Sequence, residues 1–309
     1  MSQPRDHHFL PVFYLNQWAV KGGKLVEYSI KKGKLIPKPV GPGGTGFQRD
    51  LYAFPELQPE ESQHIERVFF DYADRVASDA LQKHLTGDKT PWTAELRSAW
   101  SRFVIGIHLR HPDAIAELRV ATKAAWDANH GPSQTAYEEL RKPEDPATFE
   151  EYIEKHFPLT PIKAFLNMII KVIDNQNLGT HINHMIWGVA DLSRAGIPLL
   201  TSDRPVEISR LKENGIISIP ISPTQLFIAA ERRETLASIA QSDPKEVVKS
   251  VNKYVTSRAR RFVYAPDEKQ TTFVEKHMSQ GMEPTPLFPN TSKIGQPGFI
   301  PSSSPFGSP

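Results

Sequence analysis

Cysteine is absent from this chain of 309 residues. Its absence excludes disulfide bonds, metal sites built from thiolates and a cysteine nucleophile. An excess of one charge is also lacking, because 37 lysines and arginines face 35 aspartates and glutamates, for a net charge of +2. The overall charge therefore gives no argument for binding to a nucleic acid or to a membrane surface.

Long hydrophobic runs are missing as well. No apolar run in the sequence approaches the roughly 20 residues that a helix needs to cross a bilayer. The N-terminus has no basic region leading into an apolar stretch, as a secretory signal would have. The sequence therefore predicts a cytoplasmic protein that does not associate with membranes.

The common cofactor and hydrolase motifs are not found. The chain contains no G-x-G-x-x-G that follows a predicted strand, and it contains no G-x-x-x-x-G-K-[ST], no H-E-x-x-H and no G-x-S-x-G. The glycines at 41–46 lack the lysine that a phosphate-binding loop requires. We therefore predict no nucleotide cofactor, and the sequence leaves a role for a divalent metal ion open.

Two histidine pairs are spaced like metal ligands on a helix. His108 and His111 form one pair, and His181 and His184 form the other. Residues three apart share a helix face, where two imidazoles could bind one ion. No acidic ligand follows at a fixed offset, and a chain with 11 histidines produces such pairs by chance. We therefore assign no metal ligands from the sequence.

The pattern of apolar residues predicts an α+β fold. Residues 25–30 and 34–36 flank Lys32-Gly33 and indicate an N-terminal β-hairpin. Helical spacing dominates the centre, and short apolar runs with turn signals follow residue 184. We expect a central helical bundle followed by a C-terminal antiparallel sheet with one further helix, because helices and strands are segregated.

The same patterns suggest how the chain is divided. We predict a single domain over residues 1–280, helical at about 56–178 and mainly β at about 185–265, with a helix at 243–258. Predicted strands in the second part include residues 197–201 and 261–265, and residues 37–46 are expected to form a loop. The last residues, 281–309, are rich in proline, glycine and serine, which predicts a disordered tail.

Four polar positions break the local pattern and are candidates for a functional site. Arg110 falls on the apolar face of a predicted helix, where it is either part of a structural ion pair or an anchor for an anionic substrate. Asp203 follows a predicted strand and opens either a simple turn or a site at the strand end. Asn252 lies at the edge of an apolar helix stripe and either caps a loop or serves a site.

The fourth position is His8, which His7 precedes and the aromatic segment up to Tyr14 follows. The two imidazoles are either a polar entry to the first buried segment or site residues held by an aromatic anchor.

A group of basic residues near the last predicted helix also has two interpretations. Its members could follow a phosphate backbone, or they could form a solvated helix face. They are Lys245, Lys249, Lys253, Arg258, Arg260 and Arg261.

Several segments together resemble the bacterial family known as domain of unknown function 4238. The resemblance rests on HHFLPVFYLNQWA, IERVFFDYADRVASDAL, FVIGIHLRHP, LLTSDRPVEIS, IPISP and VNKYVTSRARRFVYA, and it spans residues 7–266. It matches His8, Arg110, Asp203 and Asn252 to residues of the family's motifs. Arg204 departs from the pattern, since the family often has asparagine there, so the resemblance implies no side-chain role at that position. It implies no established activity either.

The coincidence of histidine, aspartate, asparagine and arginine leads to a hydrolase hypothesis. We predict a phosphodiesterase that acts on a nucleic acid or a nucleotide, with His8, Asp203 and Asn252 as catalytic residues. In this hypothesis, His7, Tyr14 and Arg110 bind the substrate, and the side chains of His8, Arg110, Asp203 and Asn252 share a pocket. The alternatives are a non-catalytic interaction protein, in which these residues stabilise the fold, and a nucleic-acid-binding protein.

Overall fold

The computed structural model describes residues 6–20, 22–51, 71–128, 130–209 and 215–278. The predicted tail and the part of the predicted helical region before residue 71 lie outside these ranges. Within them, no helix is both long enough and apolar enough to cross a membrane. The predicted α+β class is confirmed, because a group of helices lies between strands that pair only in antiparallel fashion.

The helices are numbered in chain order. They are α1 (Val12–Leu15), α2 (Asp71–Thr86), α3 (Ala94–Leu109), α4 (Pro112–Ala128), α5 (His130–Leu140), α6 (Phe149–His156), α7 (Thr160–Ile173), α8 (Gln176–His184), α9 (Arg233–Gln241), α10 (Pro244–Arg258) and α11 (Thr271–Met278). Their ends follow local chemistry. Thr148 and Glu151 form the capping box that starts α6, and Asp243 caps α10 by accepting the N–H of Lys245.

The strands form three antiparallel sheets. They are β1 (Asp6–His8), β2 (Leu25–Lys31), β3 (Lys34–Val40), β4 (Phe47–Arg49), β5 (Ile186–Asp191), β6 (Thr201–Ser202), β7 (Glu207–Ile208), β8 (Ile216–Ser222), β9 (Gln225–Ala230) and β10 (Val263–Ala265). β1 and β4 form a two-stranded ribbon, and the other orders are β3-β2-β10-β6 and β5-β9-β8-β7. The N-terminal hairpin thus shares a sheet with strands from the C-terminal part.

The predicted hairpin is confirmed, and its second strand is longer than expected. Lys32 and Gly33 both have positive φ angles, 51° and 76°, as a two-residue turn of type I′ requires. Strand β3 continues through Pro37 and Pro39 to Val40, so the prediction of a loop from residue 37 was wrong there. Prolines are compatible with this strand because β3 is an edge strand and needs no outward N–H donors.

The predicted strand at 197–201 is also corrected, because only Thr201–Ser202 pairs with a strand. The backbone before it is bonded to other groups. The N–H of Leu199 donates to Pro223 O, and the N–H of Leu200 donates to the side chain of Asn252. Pro198 has no N–H to donate. Side-chain and loop partners therefore replace the ladder that the apolar run 197–200 suggested.

The main core contains an unusual histidine. His84, at the end of α2, is buried among four aromatic rings, with centroid distances of 4.5 Å to Trp92, 4.8 Å to Trp100 and 4.8 Å to Phe227. The fourth ring is that of Trp187, at 5.8 Å. Burial, aided by the positive charges of Arg97 and Lys83, lowers the pKa of His84 to about 3. This side chain is therefore a neutral core residue at neutral pH.

Candidate anion-binding site

The site is built around a corner between α3 and α4, which we call the α3–α4 corner (residues 109–112). Helix α3 ends where the N–H of Arg110 donates to Gly106 O at 2.8 Å, and α4 begins at Pro112. Pro112 accounts for this break, because the residue before a proline avoids the helical region. Two polar side chains, Arg110 and His111, therefore follow each other at a sharp turn. Both are buried, and they reach different partners.

Arg110 forms a bidentate ion pair with Asp74 of α2. Its Nη1 and Nη2 atoms lie 2.9 Å from Oδ2 and Oδ1 of the carboxylate. A Cβ at Gly106 would lie 3.4 Å from Nε of Arg110, so the glycine leaves space for the guanidinium group on its own helix. The structural ion pair that the sequence suggested for Arg110 is thus present, and it joins α2 to the corner.

His8 is within range of the charge of Asp74, the partner of Arg110. The ring of His8 is half-buried beside Phe47, its partner across the β1–β4 ribbon, with centroids 5.5 Å apart. Burial lowers the pKa of His8, while a hydrogen bond to the backbone of Gly43 and the charge of Asp74 oppose the shift. Its Nε2 atom is buried without a hydrogen-bond partner. A neutral imidazole with a ring nitrogen available is suited to accept a proton.

His111 of the corner forms a fully buried pair with Asp203. Nε2 of His111 lies 3.3 Å from Oδ2 of Asp203, and Nδ1 accepts the N–H of Asp113 at 3.2 Å. The second contact leaves Nε2 as the protonated nitrogen, which donates to the carboxylate. The edge of Phe9 packs on the imidazole with centroids 5.6 Å apart. The segment after β1 therefore contacts the corner through Phe9.

The carboxylate of Asp203 organises an arginine-rich loop. It accepts three consecutive backbone N–H groups, from Arg260 at 2.9 Å, Arg261 at 2.6 Å and Phe262 at 3.3 Å. These residues connect α10 to β10. Because their N–H groups point inward at one buried acid, the loop backbone is fixed. Asp203 thus positions the arginines that follow α10.

Four arginines surround this loop, and we call them the arginine cluster (Arg204, Arg258, Arg260 and Arg261). Asp113 of α4 forms ion pairs with two of them, with carboxylate oxygens 3.8 Å from Nη2 of Arg204 and 3.4 Å from Nη2 of Arg261. Arg261 also donates from Nη1 to the side chain of Gln48 on β4 at 2.9 Å. Arg258 lies over the ring of Tyr254 at 5.5 Å.

Arg204 occupies the most enclosed position in the arginine cluster. Its side chain is only 12% exposed, and its buried Nη2 atom has no hydrogen-bond partner. Burial and then the charge of Arg260 lower the pKa of Arg204, while Asp113, Asp203 and Glu117 oppose the shift. Arg204 is therefore a cation with little water around it and a positively charged neighbour, Arg260. Such a group favours an added anion.

His108 lies near the end of α3, within range of the positive charge of Arg204. Burial and then the positive charges of Arg204 and Arg258 lower the pKa of His108 to about 4. Its Nδ1 atom is buried and also lacks a hydrogen-bond partner. A neutral imidazole and a cationic guanidinium, each with a buried polar atom that has no hydrogen-bond partner, therefore interact electrostatically at the arginine cluster.

The remaining candidates make separate contacts. Asn252 is fully buried, where its Oδ1 accepts the N–H of Leu200 at 2.8 Å and its Nδ2 donates to Pro198 O at 2.9 Å. It fixes the segment that leads to Asp203. Tyr14 is also fully buried and bonds through its hydroxyl to Thr201 Oγ1 at 2.6 Å and Pro220 O at 2.8 Å. Burial raises the pKa of Tyr14.

The structure connects three of the four predicted side chains to the corner. Arg110 belongs to it, Asp203 bonds to His111, and His8 lies near the Asp74 that pairs with Arg110. Asn252 is bonded elsewhere, as described above. His7 is buried on the β1–β4 ribbon, where it is the register partner of Gln48. The shared pocket and the roles in catalysis and substrate binding stay predictions.

Sequence reasoning missed the residues that carry the strongest signal. It treated His108 and His111 only as a metal pair, and it gave no role to Arg204 or Asp113. The motif RARRF at 258–262, with three arginines in four positions, was the available clue. The sequence placed these arginines in one group with the lysines of α10. Burial, followed by the charges of Lys276 and Lys253, lowers the pKa of His277 on α11, so Lys253 lies near α11.

No metal centre is identified among the residues that the structure describes, since they contain no group of three or more ligating side chains that could hold an ion. Each histidine pair has other contacts. His111 bonds to Asp203, and His181 lies 3.4 Å from a carboxylate oxygen of Glu231. His184 contacts the carbonyl of Thr180 on its own helix at 2.7 Å.

With this geometry in place, comparison with known proteins defines the class. The chain belongs to the family described as "Protein of unknown function (DUF4238)", which it matches over residues 6–269. The resemblance found in its motifs is thereby confirmed. No curated protein and no solved structure matches the chain.

Proposed function

We propose that the protein is a hydrolase that binds the phosphate groups of a nucleotide or a nucleic acid at the arginine cluster. The observation that supports it best is Arg204, a nearly buried guanidinium whose Nη2 atom has no hydrogen-bond partner. Oδ2 of Asp113 lies 3.8 Å from this atom, which is an ion pair but too long for a hydrogen bond, and a buried donor without an acceptor is costly. Phosphate oxygens match the planar fork of arginine, and further arginines stand beside it.

Proton transfer at the same place would fall to His108. Hydrolysis adds water to phosphorus, passes a proton from that water to a base and breaks the bond to the leaving oxygen. A neutral imidazole next to the phosphate can accept that proton. His108 is neutral at neutral pH, and its Nδ1 atom is available. His8 is a second candidate, within range of the charge of the Asp74 that pairs with Arg110.

The other predicted residues have supporting parts in this proposal. Asp203 fixes the backbone of the arginine-rich loop, and Asn252 fixes the segment before Asp203. Both act through other groups and are positioning residues. The catalytic roles first predicted for His8, Asp203 and Asn252 remain predictions. A cytoplasmic location also remains a prediction.

A turnover assay tests the proposal. Purified protein is incubated with RNA, DNA and nucleotides, with and without Mg²⁺ or Mn²⁺. We expect release of a shorter or dephosphorylated product. We also expect Arg204→Gln and His108→Gln each to lower the rate by at least about tenfold, because one removes a charged phosphate contact and the other the base.

Arg194→Gln is the matched control, because Arg194 is an exposed arginine on the 3₁₀ turn after β5. It should have the rate of the unmodified protein. Absence of turnover with every substrate would reject the hydrolase assignment. If the phosphate ligands still bound and Arg204→Gln lowered their affinity, the protein would be better described as a non-catalytic phosphate-binding protein.

A further inference from the structure

The carboxylate of Asp113 bridges two arginines of the arginine cluster. Its Oδ2 atom lies 3.8 Å from Nη2 of Arg204, and its Oδ1 atom lies 3.4 Å from Nη2 of Arg261. Hydrogen bonds between an arginine and a carboxylate are normally about 2.7–2.9 Å long. The carboxylate therefore contacts two guanidinium groups, one with each oxygen, and forms a strong hydrogen bond to neither.

The backbone of Asp113 is held more firmly than its side chain. Its N–H donates to Nδ1 of the fully buried His111 at 3.2 Å, in the first turn of α4. Its Oδ2 atom lies 3.6 Å from the same Nδ1, which already accepts a hydrogen bond and has no proton to donate. The side chain of Asp113 is 40% exposed, so rotation about its own bonds can carry the carboxylate into water. A negative charge is favoured there, because it stays near the N-terminus of the helix.

We infer that the phosphate group takes the place of the Asp113 carboxylate between Arg204 and Arg261, and that Asp113 is displaced when the ligand binds. The inference rests on the proposed function. Arg204 makes the exchange favourable, because its side chain is only 12% exposed and its Nη2 atom has no hydrogen-bond partner. A phosphate group is larger than a carboxylate and has more oxygens, so it can bond to both guanidinium groups at once. Asp113 therefore competes with the ligand and lowers its affinity.

Other contacts hold the two arginines when Asp113 leaves them. Arg261 donates from Nη1 to the side chain of Gln48 at 2.9 Å, and its backbone N–H donates to Asp203 at 2.6 Å. The backbone N–H of Arg204 donates to Oγ of Ser202 at 3.1 Å. Removing the charge of Asp113 therefore leaves the backbone of both arginines in place.

Calorimetric titration with a short oligothymidylate, at one pH and one salt concentration, tests the inference. We expect Asp113→Asn to bind the oligonucleotide roughly fivefold more tightly than the unmodified protein does, because a competing ion pair of this exposure is removed. Asp174→Asn is the matched control. It removes the same charge from a residue that is 44% exposed and pairs with Arg102, outside the arginine cluster. Its affinity should equal that of the unmodified protein.

A double variant separates displacement from simple repulsion between Asp113 and the ligand. In the Arg261→Gln protein, one of the two ion pairs that Asp113 gives up is already missing. Adding Asp113→Asn to that protein should therefore raise the affinity by only about twofold. Repulsion does not require Arg261 and would give the same increase with and without it.

The outcomes distinguish the inference from the proposal beneath it. The inference would be wrong if Asp113→Asn bound no more tightly than the unmodified protein, if Asp174→Asn gave the same increase, or if the increase were undiminished in the Arg261→Gln protein. Phosphate binding at the arginine cluster would still stand in these cases, since Arg204→Gln would weaken it. If no variant bound the oligonucleotide, or if Arg204→Gln bound as tightly as the unmodified protein, the proposed function would fail and the inference with it.

Discussion

Replacing Asp203 with alanine should lower the free energy of unfolding by about 4 kcal/mol, within the range measured when one partner of a buried charged network is removed. The carboxylate is fully buried and accepts the N–H groups of Arg260, Arg261 and Phe262 as well as Nε2 of His111. Alanine would leave all of these donors without an acceptor inside the protein. Urea denaturation followed by circular dichroism measures the change.

Asp113→Ala is the matched control for this variant. Asp113 carries the same charge in the same cluster, but its side chain is 40% exposed and its ion pairs reach water. Exposed ion pairs contribute at most about 1 kcal/mol. Equal losses in the two variants would show that Asp203 does not hold the arginine-rich loop in the way described.

The second large effect concerns pH, and it comes from His84. The pKa of His84 is about 3 in the folded protein and 6.5 in the unfolded chain. Between these values the unfolded chain binds a proton that the folded protein does not, so the stability due to this residue is present above pH 6.5 and is lost as the pH falls. One pKa unit corresponds to about 1.4 kcal/mol.

Lowering the pH from 7 to 4.5 should therefore remove roughly 2–3 kcal/mol through His84 alone. His84→Phe keeps an aromatic ring among the tryptophans and abolishes the titration, so this part of the pH dependence should disappear. Thermal or urea unfolding at the two pH values measures it, with the exposed His184→Gln as the control. An unchanged pH dependence in His84→Phe would contradict the account of a neutral core histidine.

Local signals predicted the elements well. Lys32-Gly33 at the turn of the hairpin and Asp243 at the start of the predicted helix 243–258 each fixed one end of an element through chemistry within a few residues. The predictions of strands and loops were wrong where hydrogen bonds to groups distant in the sequence determine the backbone structure. Residues 197–200 look like a strand, but their backbone bonds to Asn252 and Pro223. The edge position that allows prolines in β3 follows from the order of strands in the sheet.

The site was less accessible to sequence reasoning for the same reason. The polar residues that break the pattern could be recognised, because buried arginine, aspartate and asparagine need partners. Their partners could not be recognised from the sequence. Asp74 lies 36 residues before Arg110, and the N–H donors to Asp203 lie 57 to 59 residues after it. The partners show that Arg110 and Asp203 support the corner, while Arg204 and His108 each have a buried polar atom without a hydrogen-bond partner.

The most direct test is the affinity for a short single-stranded oligonucleotide, measured by titration at 50 mM and 200 mM salt. We predict saturable binding that weakens with salt, as phosphate contacts require. We also predict that Arg204→Gln weakens it by at least about tenfold, the loss expected for one charged hydrogen bond. Arg194→Gln should bind like the unmodified protein. Absence of binding, or equal affinity in Arg204→Gln, would contradict the claim that the arginine cluster is a phosphate site.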